Sequence, residues 1–167
     1  MWRQLNSILL LPFMAVVVIP LILTAFFGKA PGWKLPNSLN LVPIAIGLSL
    51  VVVGLILMGK TITLFANLGQ GTLAPWDPPQ KLVVEGVYRH VRNPMISGVA
   101  SILLGEALIL GSLPQFIWFL LFATANAIYM PLSEEPGLLK RFGRDYEIYR
   151  AHVPRWIPRL TPWIPPD

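Results

Sequence analysis

ILLLPFMAVVVIPLILTAFF, Ile8 to Phe27, is a run of 20 residues without a charge, and LNLVPIAIGLSLVVVGLIL, Leu39 to Leu57, is a second of 19. Each is long enough to cross a hydrocarbon core of roughly 30 Å as a helix. A segment this apolar cannot be the surface helix of a water-soluble domain, because it offers no polar face. Further along, Met95 to Leu110 and Pro114 to Leu132 form two shorter apolar runs, separated only by Gly111, Ser112 and Leu113. That pattern reads as a helical hairpin with a tight, uncharged turn. Over the 167 residues, 54% are hydrophobic and 13% charged, and the apolar residues come in blocks. The expected fold is therefore all-α and polytopic, with about four transmembrane helices in a single membrane domain. No small-x-small cleavage site precedes Lys29 and only Arg3 stands before the first run, so that run is expected to stay in the mature protein.

Charge sets the orientation. With four spans, one side receives Arg3, Lys60, Lys81, Arg89, Arg92, Lys140, Arg141, Arg144, Arg150, Arg155 and Arg159, and the other receives Lys29 and Lys34, eleven against two. Cytoplasmic loops hold the excess of lysine and arginine, which places both termini in the cytoplasm. The net charge of +5 is explained by a basic rim on an anionic leaflet and calls for no nucleic acid. The chain has no cysteine, which excludes disulfides, thiolate catalysis and zinc–thiolate sites. Gly54 to Thr61, GLILMGKT, satisfies the phosphate-loop pattern formally. That loop needs open backbone amides after a strand, whereas these amides belong to a transmembrane helix, so the match is a coincidence.

Polar residues that persist in so apolar a chain are the informative ones. The connection from Thr63 to Asn93 carries Asn67, Gly69, Gln70, Gly71 and Trp76-Asp77-Pro78-Pro79, whose glycines and prolines break a helix. It ends in Gly86-Val87-Tyr88-Arg89-His90-Val91-Arg92-Asn93-Pro94. Arg89, His90 and Arg92 read equally as anchors to lipid phosphate and as a cationic cradle for an anionic ligand group. Glu106, in the third run, is expected to face protein or water, with a structural hydrogen bond or a catalytic role both open. Ser97, Ser101 and Gly105 make a small-residue stripe suited to close helix packing, with Glu106 to one side of it. In the fourth run Asn126, Tyr129 and Ser133 share one face, which is expected to turn inward, either to bond a neighbouring helix or to wall a cofactor site. After Ser133-Glu134-Glu135-Pro136, residues Leu138, Leu139, Phe142, Tyr146 and Tyr149 fall on an arc of about 100°, predicting a C-terminal cytoplasmic amphipathic helix whose apolar side receives Glu135.

Two of these stretches, in this order around an apolar hairpin, carry a family likeness. GVYRHVRNPM, Gly86 to Met95, and EEPGLLKRFGRDYEIYRAHVPRWIPR, Glu134 to Arg159, resemble the isoprenylcysteine carboxyl methyltransferase and phospholipid N-methyltransferase family of integral membrane enzymes. The likeness covers about the C-terminal half, from Ala74 to Pro79, APWDPP, onward. It implies S-adenosylmethionine as cofactor, held at the cytoplasmic membrane face by segments 74–94 and 133–159. Tyr88, Arg89, His90, Arg92, Asn93 and Pro94 would line one side of the pocket, and Glu134 and Glu135 the other. Glu135, Arg144 and Arg155 would serve the reaction, with Tyr146 and Trp156 in the same C-terminal signature. The family often has histidine where Asn93 stands and tyrosine where Ile96 stands, so position 96 offers no hydroxyl here. The implied activity is methyl transfer to a membrane-embedded acceptor, a prenylcysteine carboxylate or a lipid amine, by a protein of a bacterial inner membrane. Two other readings stand beside it: a nicotinamide-dependent membrane reductase of sterol-reductase-like architecture, and a non-catalytic membrane scaffold.

Overall fold

The computed structural model describes residues 9–28, 32, 33, 36, 39–68 and 81–165. Arg3, Lys29, Lys34, Gly69 to Gly71 and the 74–79 segment named above lie outside them. The described residues are mainly helical, contain no strand and end in an irregular segment after the last helix. Residues Leu9–Val18 wind as a π-helix and run directly into α1 (Ile19–Phe27). Then follow α2 (Leu41–Leu68), a 3-10 turn (Gly86–Arg89), α3 (Pro94–Leu110), α4 (Leu113–Tyr129), a π-turn (Met130–Glu134) and α5 (Glu135–His152).

The apolar runs became helices as expected, with one extension. The second run continues beyond Leu57 through Lys60 to Leu68, so Thr63 and Asn67, read as part of a connection, belong to α2. The extra turns are tolerated because Thr61 and Thr63 return their hydroxyls to the carbonyls four residues earlier, Leu57 at 2.7 Å and Gly59 at 2.8 Å. GLILMGKT is thus helix throughout. Mean hydropathy reaches 2.8 in Leu41–Phe65 and 1.5 in the continuous stretch Leu113–His152, both long enough to cross a membrane, while Pro12–Phe27 and Pro94–Leu110 are shorter apolar helices. Only 11% of the most apolar window of α2 is buried, which a soluble core helix would not tolerate and a lipid-facing one requires.

Four glycines bring α2 and α3 together. A Cβ on Gly47 would lie 2.7 Å from the Gly105 carbonyl oxygen, and one on Gly54 would lie 2.5 Å from that of Gly98. The reverse distances are 2.6 Å from Gly105 to the Gly47 carbonyl and 2.9 Å from Gly98 to that of Gly54. The two helices are antiparallel and their glycines meet at matched levels seven residues apart, backbone against backbone, where no side chain fits. The expected stripe is therefore half right. Gly105 belongs to it, but Ser101 bonds back to the Ser97 carbonyl at 2.8 Å and Ser97 points elsewhere.

The first segment is tied on by its own irregularity. Pro20 has no N–H to continue the π pattern, so the winding reverts to α there. The Ala15 carbonyl, which would have paired with residue 20, receives the Trp118 indole N–H at 3.0 Å. Gln115 donates to the Pro20 carbonyl at 2.9 Å and to the Thr24 hydroxyl at 3.2 Å. Ala15, Val99 and Leu103 form the core where these helices meet, with Met58, Trp118 and Phe122 packed around it. At the far end Gly111 closes α3 in the left-handed conformation (φ 59°), and α4 starts two residues later.

Two polar expectations are corrected. The face of Asn126, Tyr129 and Ser133 does not turn inward: Asn126 donates to its own helix at the Phe122 carbonyl (2.8 Å), and Tyr129 and Ser133 are exposed. The π-turn that follows shifts the helical register, so that Glu135 rather than Ser133 enters the interior. Glu106 lines a cleft of about 300 Å³ with Val16, Pro20, Thr24, Ile109 and Gln115, and its Oε2 is buried without a hydrogen-bond partner among the described residues.

Two consequences can be measured in detergent. Gly54→Ala should destabilise the bundle by about 1–3 kcal/mol through overpacking, whereas Gly59→Ala, where a Cβ meets nothing within 4 Å, should be neutral or stabilising. Equal melting shifts for the two would remove the glycine contact as an explanation. Glu106→Met should raise the melting temperature, because an unsatisfied buried oxygen costs about 1–3 kcal/mol; a marked fall would mean that Glu106 has a partner in the membrane.

Candidate functional site

At the end of the bundle where α3 begins and α4 ends, the two stretches singled out in the sequence come together. Asn93 precedes α3 and Pro94 opens it, where a missing N–H costs nothing. This places Arg92 at the mouth of the helix. Glu135 opens α5 directly after the π-turn. Beyond α5 the chain leaves the helix at Val153 and runs as an irregular strap, with prolines at 154, 158, 162 and 165 that exclude both helix and ladder pairing.

Glu135 is the centre of the cluster. Arg92 Nη1 donates to its Oε1 at 2.9 Å, while Arg155 donates through Nε to Oε1 at 2.6 Å and through Nη2 to Oε2 at 2.9 Å. The Arg155 pair is bidentate, the geometry in which guanidinium and carboxylate bind best. Side-chain exposure is 10% for Glu135, 11% for Arg92 and 30% for Arg155, so the triad is largely dry at its centre and wetter at the strap. The hydrogen bonds to Glu135 raise the Arg155 pKa further, against the opposing cost of burial. Arg92 also donates to the Tyr146 hydroxyl at 3.3 Å, and its Nε is buried with no acceptor among the described residues.

Behind this triad lies a packed aromatic wall. Tyr146, Tyr149 and Val153 are buried, with Leu82, Val84, Leu138, Leu139, Phe142 and Trp163 against them. The expected apolar arc of the C-terminal helix is this wall, and it survives a break at Gly143 (φ 51°). The Tyr149 hydroxyl donates to the Tyr88 carbonyl at 2.8 Å. Burial pushes the Tyr149 and Tyr88 phenols up, with the nearby Glu134 charge adding to the shift at Tyr88. Burial likewise raises Tyr146, with Glu135 the second cause. All three remain neutral hydrogen-bonding groups at physiological pH.

The strap is stitched to the Arg-Asn-Pro segment. Arg92 N–H donates to the Pro154 carbonyl at 2.9 Å, Arg159 N–H to that of His90 at 3.0 Å, and Trp163 N–H to that of Arg89 at 2.9 Å. Asn93 Nδ2 reaches the Arg155 carbonyl at 3.4 Å and Ser97 Oγ the Trp156 carbonyl at 2.8 Å. His90 Nδ1 sits 2.8 Å from the Arg159 carbonyl, which requires a proton on Nδ1. Arg89 donates to the Val84 carbonyl at 3.3 Å.

Most of the expected site residues are thus neighbours: Tyr88 to Pro94 on one side, Glu135 and Arg155 on the other, with Glu134 close enough to act on Tyr88. Arg144 is not among them. It is exposed on the outer side of α5 and makes no hydrogen bond or ion pair among the described residues. The expected segment ended at Arg159, whereas the strap continues to Trp163, which closes the aromatic wall and stacks on His152 at 5.4 Å between centroids. The four-residue proline spacing was its signal in the sequence. The cleft containing Glu106 is a separate feature, about 18 Å along α3 from Pro94 by helical rise, and shares no residue with the triad.

Comparison with known proteins places the chain in a family. Over 79 residues the chain is 35% identical to Protein-S-isoprenylcysteine O-methyltransferase of Schizosaccharomyces pombe. The match takes in 47% of this chain and 34% of that relative, so the chain spans about a third of the length of the curated relative it matches. The model of the phospholipid methyltransferase family matches residues 42–145, from the start of α2 to within α5, more than half of the chain. The glycine-packed helices, the hairpin and the acidic entry to α5 all fall inside that match, and on these grounds the chain belongs to the phospholipid methyltransferase family.

Proposed function

We propose that the protein transfers a methyl group from S-adenosylmethionine to an acceptor embedded in the membrane, a lipid amine or a prenylcysteine carboxylate. The observation that carries this reading is the convergence of Arg92, Asn93, Glu135 and Arg155 at one end of a lipid-facing bundle, from stretches more than 40 residues apart along the chain. Polar and charged donors gathered at a membrane boundary suit a reaction whose donor is water-soluble and whose acceptor is not. Both termini are read as cytoplasmic, with four spans and the site on the cytoplasmic face of a bacterial inner membrane.

The residues fit such a cofactor. Among the described residues the buried Arg92 Nε has no acceptor, as a group awaiting a carboxylate would. When bound, S-adenosylmethionine supplies an electrophilic methyl on a sulfonium. The chain's own residues then work by alignment and by keeping water out, since displacement at carbon requires a collinear approach. Glu135 has its oxygens engaged by two guanidinium groups, so its part is to fix Arg92 and Arg155 in place. Arg155, the wettest of the three, is placed to meet the acceptor's polar end. Tyr88, Arg89, Pro94 and Glu134 shape the wall beside them, and Arg144, being exposed, lies outside the reacting zone.

The test is a radiolabelled methyl transfer assay on a total lipid extract, with the labelled product identified, alongside calorimetry of S-adenosylmethionine binding in detergent. Arg92→Ala should weaken that binding at least tenfold, about 1.4 kcal/mol, and Glu135→Gln should do the same while lowering the melting temperature. Arg144→Ala should leave binding unchanged. A wild-type protein that binds neither S-adenosylmethionine nor its demethylated product would end the proposal, and affinity for NADPH in its place would point to a reductase.

A further inference from the structure

The strap carries an apolar surface that neither the triad nor the aromatic wall uses. Leu160 is 99% exposed, Ile157 80% and Ile164 73%. Three large aliphatics on a segment of this length would be a liability in water. Their height along the bundle gives them a covering. Ser97 lies in the first turn of α3 and donates from its side chain to the Trp156 carbonyl, so the strap lies beside that turn, not beneath it. In addition, α3 has 17 residues and spans about 25 Å, less than the roughly 30 Å of a hydrocarbon core. An end of so short a helix sits at or inside the hydrocarbon edge, and whatever flanks that end sits there too.

The backbone of the strap is suited to such a place. Residues 154, 158, 162 and 165 are prolines with no N–H to satisfy. The N–H groups of Arg159 and Trp163 are already spent on His90 and Arg89. Four withheld donors and two spent ones lower the cost of placing this backbone at the glycerol level, where ester carbonyls and water meet the N–H groups that remain. Trp156 and Trp163, both partly buried, are of the residue type enriched at membrane interfaces.

We infer that Ile157, Leu160 and Ile164 insert into the leaflet adjoining the site, seating the strap in the acyl–glycerol layer of the protein's own bilayer. Through Arg155, the lipid then bears on the position of Glu135 and Arg92. The inference rests on the membrane-spanning bundle and holds whether or not the site transfers methyl groups.

The absence of native cysteine makes the test direct. Nitroxide labels are placed singly at Leu160→Cys, Ile157→Cys and Ile164→Cys in full-length protein reconstituted in phosphatidylethanolamine and phosphatidylglycerol vesicles. Two controls frame them: Val52→Cys on the exposed lipid-facing side of α2, and Glu147→Cys on the exposed side of α5. Relaxation of the Leu160 label by dissolved oxygen should exceed that by a water-soluble nickel chelate, as for Val52, with Ile157 and Ile164 following it. A Leu160 label that behaves like Glu147 overturns the inference, as does one shielded from both reagents and broadened by a second label, which would mark a contact between copies. If the Val52 label itself reads as water-exposed, the fault lies in the membrane reading, and the strap inference falls with it.

Discussion

A carboxylate held by two guanidinium groups ties together three parts of this chain that backbone hydrogen bonds and the aromatic wall also bring side by side. Arg92 stands at the mouth of α3, Glu135 at the start of α5 and Arg155 in the strap. Attraction between unit charges at 4 Å is about 4 kcal/mol at an effective dielectric constant of 20, and removing such ions from water costs several kcal/mol each. The two effects largely cancel, so the triad adds little to stability. Its value lies in position: with Glu135 absent, two cations would face each other, and their side chains would turn apart although the strap stays bonded to the helix mouth. Such a centre fixes the direction of the Arg92 Nε donor, which has no acceptor among the described residues.

A rigid platform makes that position reproducible. The α2–α3 contact is backbone on backbone at two levels, which leaves no side chain free to change rotamer between them. The π-turn before Glu135 is the second determinant. It rotates the start of α5 relative to α4, turning one acid inward while the neighbouring polar face of α4 remains exposed. A plain α-helix through the same residues would aim Glu135 elsewhere.

Much of this was legible in the residues themselves. Uncharged runs of membrane length, the hairpin turn at Gly111 and the aromatic arc after Glu135 depend on periodicity and transfer free energy, which are local properties. Arg92 and Glu135 were readable as partners only through the family likeness, because no local rule joins residues so far apart. The glycine contact was half legible: Gly105 stood out, but its partner Gly47 and the second pair, Gly54 with Gly98, join separate helices, and no local rule pairs them. The π-windings were not legible at all. They are set by where Pro20 and Pro131 withhold an N–H and by which distant side chain, such as Trp118, takes up the released carbonyl. Arg144 illustrates the converse. A motif placed it in the site, and the turn of α5 carried it outside.

Because Arg155 and the carbonyl of Pro154 complete the cluster from the strap, a nascent chain whose helices have all entered the bilayer still lacks its finished centre. Insertion and maturation are therefore separate events in time. Until residues 153–163 emerge and fold back over His90, the inserted bundle lacks the Arg155–Glu135 pair and the hydrogen bonds of the strap.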